Sequence, residues 1–284
     1  MDMPVWMRKT LSRGSEMRVG ICGAAQQAAE VLLSRMVSGD MFGSEHSLQL
    51  TLQDSANKLE DLQLLAEDLM DGCYPLLSGP ITTATTVLDS VDDNDVIILL
   101  MPRRIPHHDS HELLREVVNA VQDYAKGLNL LSTLVLQDKV IVVAGGMASV
   151  AAGILATLSP HLHPHHVLAV EVPAYDDQTA KQEGGYRLSE MICQAVHQWW
   201  SGVQERKELT VGMGCYHGIP RMPSLCFLPM PVKVIAPLTL EVSSDAHPEW
   251  NHIKQQMDNF SQALSILGLA ERPGRQSIMC ACKL

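Results

Sequence analysis

Two kinds of apolar pattern alternate along the first part of the chain. Arg18–Cys22, Leu48–Gln53, Val96–Met101, Val140–Ala144 and Val167–Val170 are short, nearly continuous apolar runs with polar or glycine flanks. Continuous rather than alternating runs mark strands buried on both faces, as in a parallel sheet. Between them the apolar positions fall at helical spacing. A helix follows Gly23-Ala24-Ala25 and runs through Val37. A second carries Leu59, Leu62, Leu65, Ala66 and Leu69, and a third carries Leu113, Leu114, Val117, Val118, Val121, Tyr124, Ala125 and Leu128. Strands alternating with helices at this interval predict βαβ units and a doubly wound sheet.

Val140–Leu158 is uncharged and about as long as the shortest membrane span. Its parts argue otherwise: β-branched residues first, then Gly145-Gly146, then an Ala-rich segment. That order predicts a buried strand, a tight turn and a packed helix. Beyond about residue 170 the pattern changes. A helix face carries Leu188, Met191, Ile192, Ala195, Val196 and Trp199. Strand-like pieces follow at Thr210–Gly214, Phe227–Lys233 and Leu238–Val242, then a last helix with Ile253, Met257, Phe260, Leu264 and Leu267. The expected fold is α/β: a Rossmann-type doubly wound parallel sheet with a smaller, truncated α+β C-terminal lobe. The expected division is a tail at 1–17, a dinucleotide-binding domain at 18–172, a substrate or dimerisation lobe at 173–270, and a tail at 271–284.

Composition narrows the function classes. With 21 Lys plus Arg against 32 Asp plus Glu the net charge is −11, and no basic run interrupts it, which disfavours a nucleic-acid surface. At 4% aromatic residues an all-β sandwich is disfavoured too. The seven cysteines form no CxxC pair, and residues 1–20 lack the apolar core of a secretory leader, so reduced thiols and a cytoplasmic location are expected.

The first strand–turn–helix reads Gly20-Ile-Cys-Gly23-Ala-Ala-Gln26-Gln27-Ala-Ala29. A dinucleotide turn needs one glycine for the turn itself, a second where backbone approaches pyrophosphate, and a small residue for helix packing. Gly23 and Ala29 suit the outer roles, whereas Gln26 brings a side chain to the middle one. Asp54, ending the second strand, is spaced to meet a ribose hydroxyl.

Further segments occur in order: Gly39-Asp-Met-Phe-Gly43, Asp71-x-x-x-Pro-Leu-Leu77, Met101-Pro-Arg-Arg104, Ala180-Lys181, Gly212-Met-Gly214, Gly218-Ile-Pro220 and Pro229-Met-Pro-Val232. Together they resemble cytosolic-type malate dehydrogenases, including their divergent 1B-like members, over about Arg18–Ala270. The resemblance implies hydride transfer between NAD and malate or oxaloacetate. It implies cofactor contacts from Gly23, Ala24, Gln27 and Asp54, and a homodimer or a heterodimer with a paralogue. Carried over by position, Arg103 is the first arginine of the loop and Asp176 the carboxylate that orients the general base.

The remaining groups do not carry over. Asp109 stands where the second loop arginine belongs, Thr179 where the carboxylate-clamping arginine belongs, and Gly145 where an asparagine contacts cofactor and substrate. The segment that holds the general-base histidine is missing, and His197, on the following helix, reads as a surface residue. Loss of one such group costs about 10²–10⁴-fold in rate. The resemblance therefore implies impaired malate chemistry and an NAD site weakened by Gln26 and Gly145. The alternatives are an active NAD-dependent oxidoreductase with another substrate, with His107, His108 or His217 as base, and a non-catalytic dimer partner. The missing segment is also expected to leave Trp199 and Trp200 partly bare. The histidine groups 107–111 and 161–166 read as surface loops rather than a metal site. Cys282-Lys283-Leu284 resembles a peroxisomal address, an alternative to the cytoplasm.

Overall fold

The computed structural model describes residues 16–102, 110–137, 139–162, 166–171, 177–203, 209–214, 227–236, 239–242 and 250–269. Within them nine strands form one sheet. They are β1 Glu16–Cys22, β2 Ser47–Gln53, β3 Thr82–Ala84, β4 Val96–Leu100, β5 Val140–Gly145, β6 Val167–Glu171, β7 Leu209–Gly214, β8 Phe227–Ala236 and β9 Thr239–Val242, in spatial order β3-β2-β1-β4-β5-β6-β7-β8-β9. The α-helices are α1 Gln27–Val37, α2 Leu59–Asp71, α3 Val87–Val91, α4 Ser110–Leu128, α5 Thr133–Gln137, α6 Ala148–Leu158, α7 Asp177–Ser201 and α8 Trp250–Ile266.

The first six strands are parallel, and β7, β8 and β9 continue the same sheet antiparallel. The parallel order 3-2-1-4-5-6 is that of a Rossmann sheet, with its switch point between β1 and β4. The α/β expectation holds; the sequence reading missed the short helices α3 and α5 and, among the strands, the three-residue β3. Its single buried residue, Ala84, gives too little pattern to read.

The two faces of the sheet bury separate cores. On one, Leu32, Leu33 and Met36 of α1, Leu62 of α2, and Ile192, Val196 and Trp199 of α7 cover alternate residues of β1, β2 and β4. On the other, Val117 and Val121 of α4, Ala151 and Ile154 of α6, and Phe260 and Ala263 of α8 cover Ile97, Leu99, Ile141 and Val143. This accounts for the unbroken apolar runs, since every residue of β4 and β5 is buried. The 140–158 segment is strand, turn and helix, and among the described residues no helix is long and apolar enough to cross a membrane.

One expectation fails in the C-terminal part. Trp199 and Trp200 are each only 3% exposed. The Trp200 ring meets Phe42 edge-on with centroids 5.3 Å apart, so the loop after α1 covers Trp200. Helix α7 runs unbroken from Asp177 to Ser201 through Gly184 and Gly185. Gly185 is buried where α7 crosses the first turn of α1: a Cβ there would lie 3.5 Å from the Ala28 nitrogen. Four residues on, the Ser189 hydroxyl reaches the Ala28 carbonyl at 2.7 Å. A Cβ at Gly185 would make only ordinary van der Waals contact, so the glycine costs helix propensity of about 1 kcal/mol without a steric need for it.

The amino ends of the parallel strands are locked by charge. Lys139, 5% exposed, donates to the carbonyls of Asp92 (2.6 Å) and Asn94 (2.8 Å) just before β4. Gly20, deep in β1, lies so close to the end of α3 that a Cβ would overlap the Ser90 carbonyl.

Candidate functional site

In an open α/β sheet the binding crevice opens outside the carboxyl ends of the strands at the switch point. Here that place is bounded by the β1–α1 turn, the end of β2, the residues after β4 and the β5–α6 turn. Gly23 has φ +78°, a left-handed conformation that favours glycine. Its N–H and that of Ala24 both donate to the Gln53 carbonyl, at 2.9 and 3.0 Å, fastening the turn to the end of β2. Asp54 adds a second tie: one carboxylate oxygen accepts from the Ala25 N–H at 3.0 Å, and the other from the Ser55 N–H at 2.8 Å. The turn thus brings Gly23, Ala24 and Asp54 together, with Gln27 exposed as the first residue of α1.

Gln26 is the N-cap of α1, yet its side chain makes no capping bond. It reaches instead across the switch point, where Nε2 donates to the Leu100 carbonyl at the end of β4, at 3.2 Å. The same carbonyl accepts from the Tyr124 hydroxyl of α4, also at 3.2 Å. Burial pushes the Tyr124 phenol well above its ordinary value and keeps it a donor. Below the turn, burial pushes the Cys22 thiol up to about 12, its contact with Ser90 notwithstanding. It is an inert core thiol rather than a nucleophile.

The β5–α6 turn contains Gly145 at φ +125° and Met147 at φ +56°. A Cβ on Gly145 would stand 3.1 Å from the Met101 carbonyl. The backbone here is shaped around the absence of a side chain.

A third group was not anticipated from the sequence. At the end of β6, Glu171 accepts from the Ser149 N–H in the first turn of α6 (3.4 Å) and from the Gln256 side-chain amide of α8 (2.8 Å). The carboxylate thus faces a helix N-terminus, which favours negative charge. The Ser149 hydroxyl and the Gln256 side-chain carbonyl are buried beside it with no hydrogen-bond partner among the described residues. The only sequence signal was an acid closing an apolar run, which is too common to single out.

His197 is half-buried rather than on the surface, and its Nδ1 lies 3.3 Å from the Met41 carbonyl. The loop holding Met41 leads into the amino end of β2, so His197 stands at the opposite end of the sheet from the crevice. Arg103, Asp176, His107, His108, Asp109, His217 and Cys282-Lys283-Leu284 lie outside the described residues, as do His163 and His165. Among the described residues no three His, Cys, Asp or Glu side chains converge as a metal site would require.

Comparison with known proteins bears on the fold. No family model matches the chain. Among solved structures, it is similar to a malate dehydrogenase from Naegleria fowleri, with 16% identity and a TM-score of 0.72 over 90% of this chain and 99% of that one. It is similar to a Trichomonas vaginalis lactate dehydrogenase in complex with NADH and oxamate, with 16% identity and a TM-score of 0.69 over 89% and 99%. It is also similar to a Plasmodium falciparum malate dehydrogenase, with 11% identity and a TM-score of 0.65 over 88% and 99%. The fold is that of the malate and lactate dehydrogenases.

Proposed function

We propose, from the premise of a malate and lactate dehydrogenase fold, that this chain is a malate dehydrogenase-type protein whose NAD-dependent interconversion of malate and oxaloacetate is impaired or absent. The observation that carries the reading is the β5–α6 turn. Where the resemblance calls for an asparagine touching both cofactor and substrate, Gly145 sits at φ +125° against the Met101 carbonyl. No L side chain fits that backbone without rearrangement, so the missing amide is not a near-neutral change. Asp109 and Thr179, in place of two arginines, remove the bidentate groups that would hold a dicarboxylate. NAD binding is weakened on the same side by Gln26. The experiment is steady-state turnover of the purified full chain with NADH and oxaloacetate. The reading expects a rate at least 10²-fold below an ordinary malate dehydrogenase, and a rate within a few-fold of one overturns it.

A second reading, an oxidoreductase acting on another substrate, is favoured by Glu171. A carboxylate at this end of the sheet suits a ligand that brings hydrogen-bond donors and disfavours a dianion. A screen of neutral and amino alcohols with NAD tests it, and absence of reduction with all of them refutes it. Pairing with itself or a full-length paralogue, and import through Cys282-Lys283-Leu284, belong to the same proposal.

A further inference from the structure

We infer that the Gln26 side chain obstructs the switch-point crevice against a dinucleotide's pyrophosphate, and that a glycine at this position relieves that obstruction. The inference deepens the reading above, since it takes the crevice to be a dinucleotide-type site.

The residues present do not fit the cofactor that the fold implies. A pyrophosphate needs backbone without side chains at the strand–helix turn, because its oxygens must come within hydrogen-bond distance of main-chain N–H groups. Here the Gln26 Nε2 lies 2.8 Å from the point where a Cβ on Gly23 would stand, so the amide covers the turn. The same Nε2 donates to the Leu100 carbonyl, and that carbonyl also accepts from the hydroxyl of Tyr124, which is 7% exposed. The turn's own donors are spent inward. The N–H groups of Gly23 and Ala24 go to Gln53, that of Ala25 goes to Asp54, and that of Gln26 goes to the Gly23 carbonyl at 3.3 Å. Gln26 itself has an ordinary extended backbone with φ −80° and ψ 144°. A glycine there keeps the chain path and removes both the amide and the Cβ.

Two obstacles are therefore separable. Gln26→Ala removes the amide that reaches Leu100 but keeps a Cβ at the point of approach, whereas Gln26→Gly removes both. NADH is titrated into the full-length unmodified chain, Gln26→Ala and Gln26→Gly, following nucleotide fluorescence, with circular dichroism melting on each as a fold control. The expected order of affinity is Gly above Ala above Gln, with at least a tenfold gain from Gln to Gly. Equal affinity for the unmodified chain and Gln26→Gly overturns the inference, and so does absence of any gain in either folded variant. The two failures separate in the turnover assay. Gln26→Gly that binds NADH but does not reduce oxaloacetate supports both readings. Gln26→Gly that turns over at an ordinary rate refutes the loss of catalytic groups while leaving the closure intact.

Discussion

The two ends of β4 are each crossed by a side chain that donates to main-chain carbonyls, and the two crossings differ in kind. At the amino end Lys139, a buried ammonium, reaches the Asp92 and Asn94 carbonyls at 2.6 and 2.8 Å. At the carboxyl end Gln26, a half-buried neutral amide, reaches Leu100 at 3.2 Å. A charged donor gives roughly 1.5–3 kcal/mol per hydrogen bond, and a neutral one about 1 kcal/mol net. The first crossing is structural and hard to replace. The second occupies the place where this architecture puts ligands and contributes little to stability. A fold can spare such a residue, which is why its identity reports on function.

The largest effect should come from the amino end. Gly20→Ala sets a Cβ into the Ser90 carbonyl, and neither backbone can yield without moving α3 off the sheet. A loss of about 3 kcal/mol or more in urea denaturation is expected. A loss under about 1 kcal/mol would show that α3 is not firmly docked. Lys139→Met should cost about 2–3 kcal/mol in the same measurement, because two carbonyls lose their donor in a site with little access to water. A neutral result would erase the contrast between the two ends.

The pH dependence of stability sharpens the comparison further. Burial pushes both Cys22 and Cys193 up to about 12 from an ordinary 9.0. Between pH 9 and 12 the native state keeps these protons while the unfolded chain releases them, so stability falls as pH rises through that window. Burial pulls the Lys139 ammonium below its ordinary 10.5, which acts in the opposite sense: from its lowered value up to 10.5 the unfolded chain holds more protons, and stability gains with pH. Urea midpoints measured from pH 8 to 11 should fall in the unmodified chain and fall less in Cys22→Ala; an unchanged slope would refute the buried-thiol account. The smallest effect is at the carboxyl end, where Gln26→Ala should cost about 1 kcal/mol. A loss above about 3 kcal/mol would make Gln26 structural like Lys139.

How much of this could be read from the sequence follows from how locally each feature is encoded. Strands β4 and β5 lie between two helix layers, so burial on both faces wrote itself into unbroken apolar runs. The Gly23 turn and Asp54 were legible because their spacing is set by one βαβ unit. The reach of Gln26 to Leu100 was only half legible: the obstruction at position 26 was plain, but its anchor lies 74 residues away. Glu171 was missed because its meaning depends on Ser149 and Gln256, which come from two other elements. The burial of Trp199 and Trp200 was misjudged for the same reason, since Phe42, on the loop after α1, covers Trp200. Contacts across distant segments leave no periodic trace.

By the proposal above, the Gln26 side chain occupies the switch-point crevice where a dinucleotide's pyrophosphate would lie. Calorimetric titration of NADH into the unmodified full-length chain tests it most directly. The account predicts no saturable binding at micromolar nucleotide. A stoichiometric isotherm with a low-micromolar Kd, about −7 to −8 kcal/mol, would show that the pyrophosphate displaces Gln26 with ease, and would contradict it.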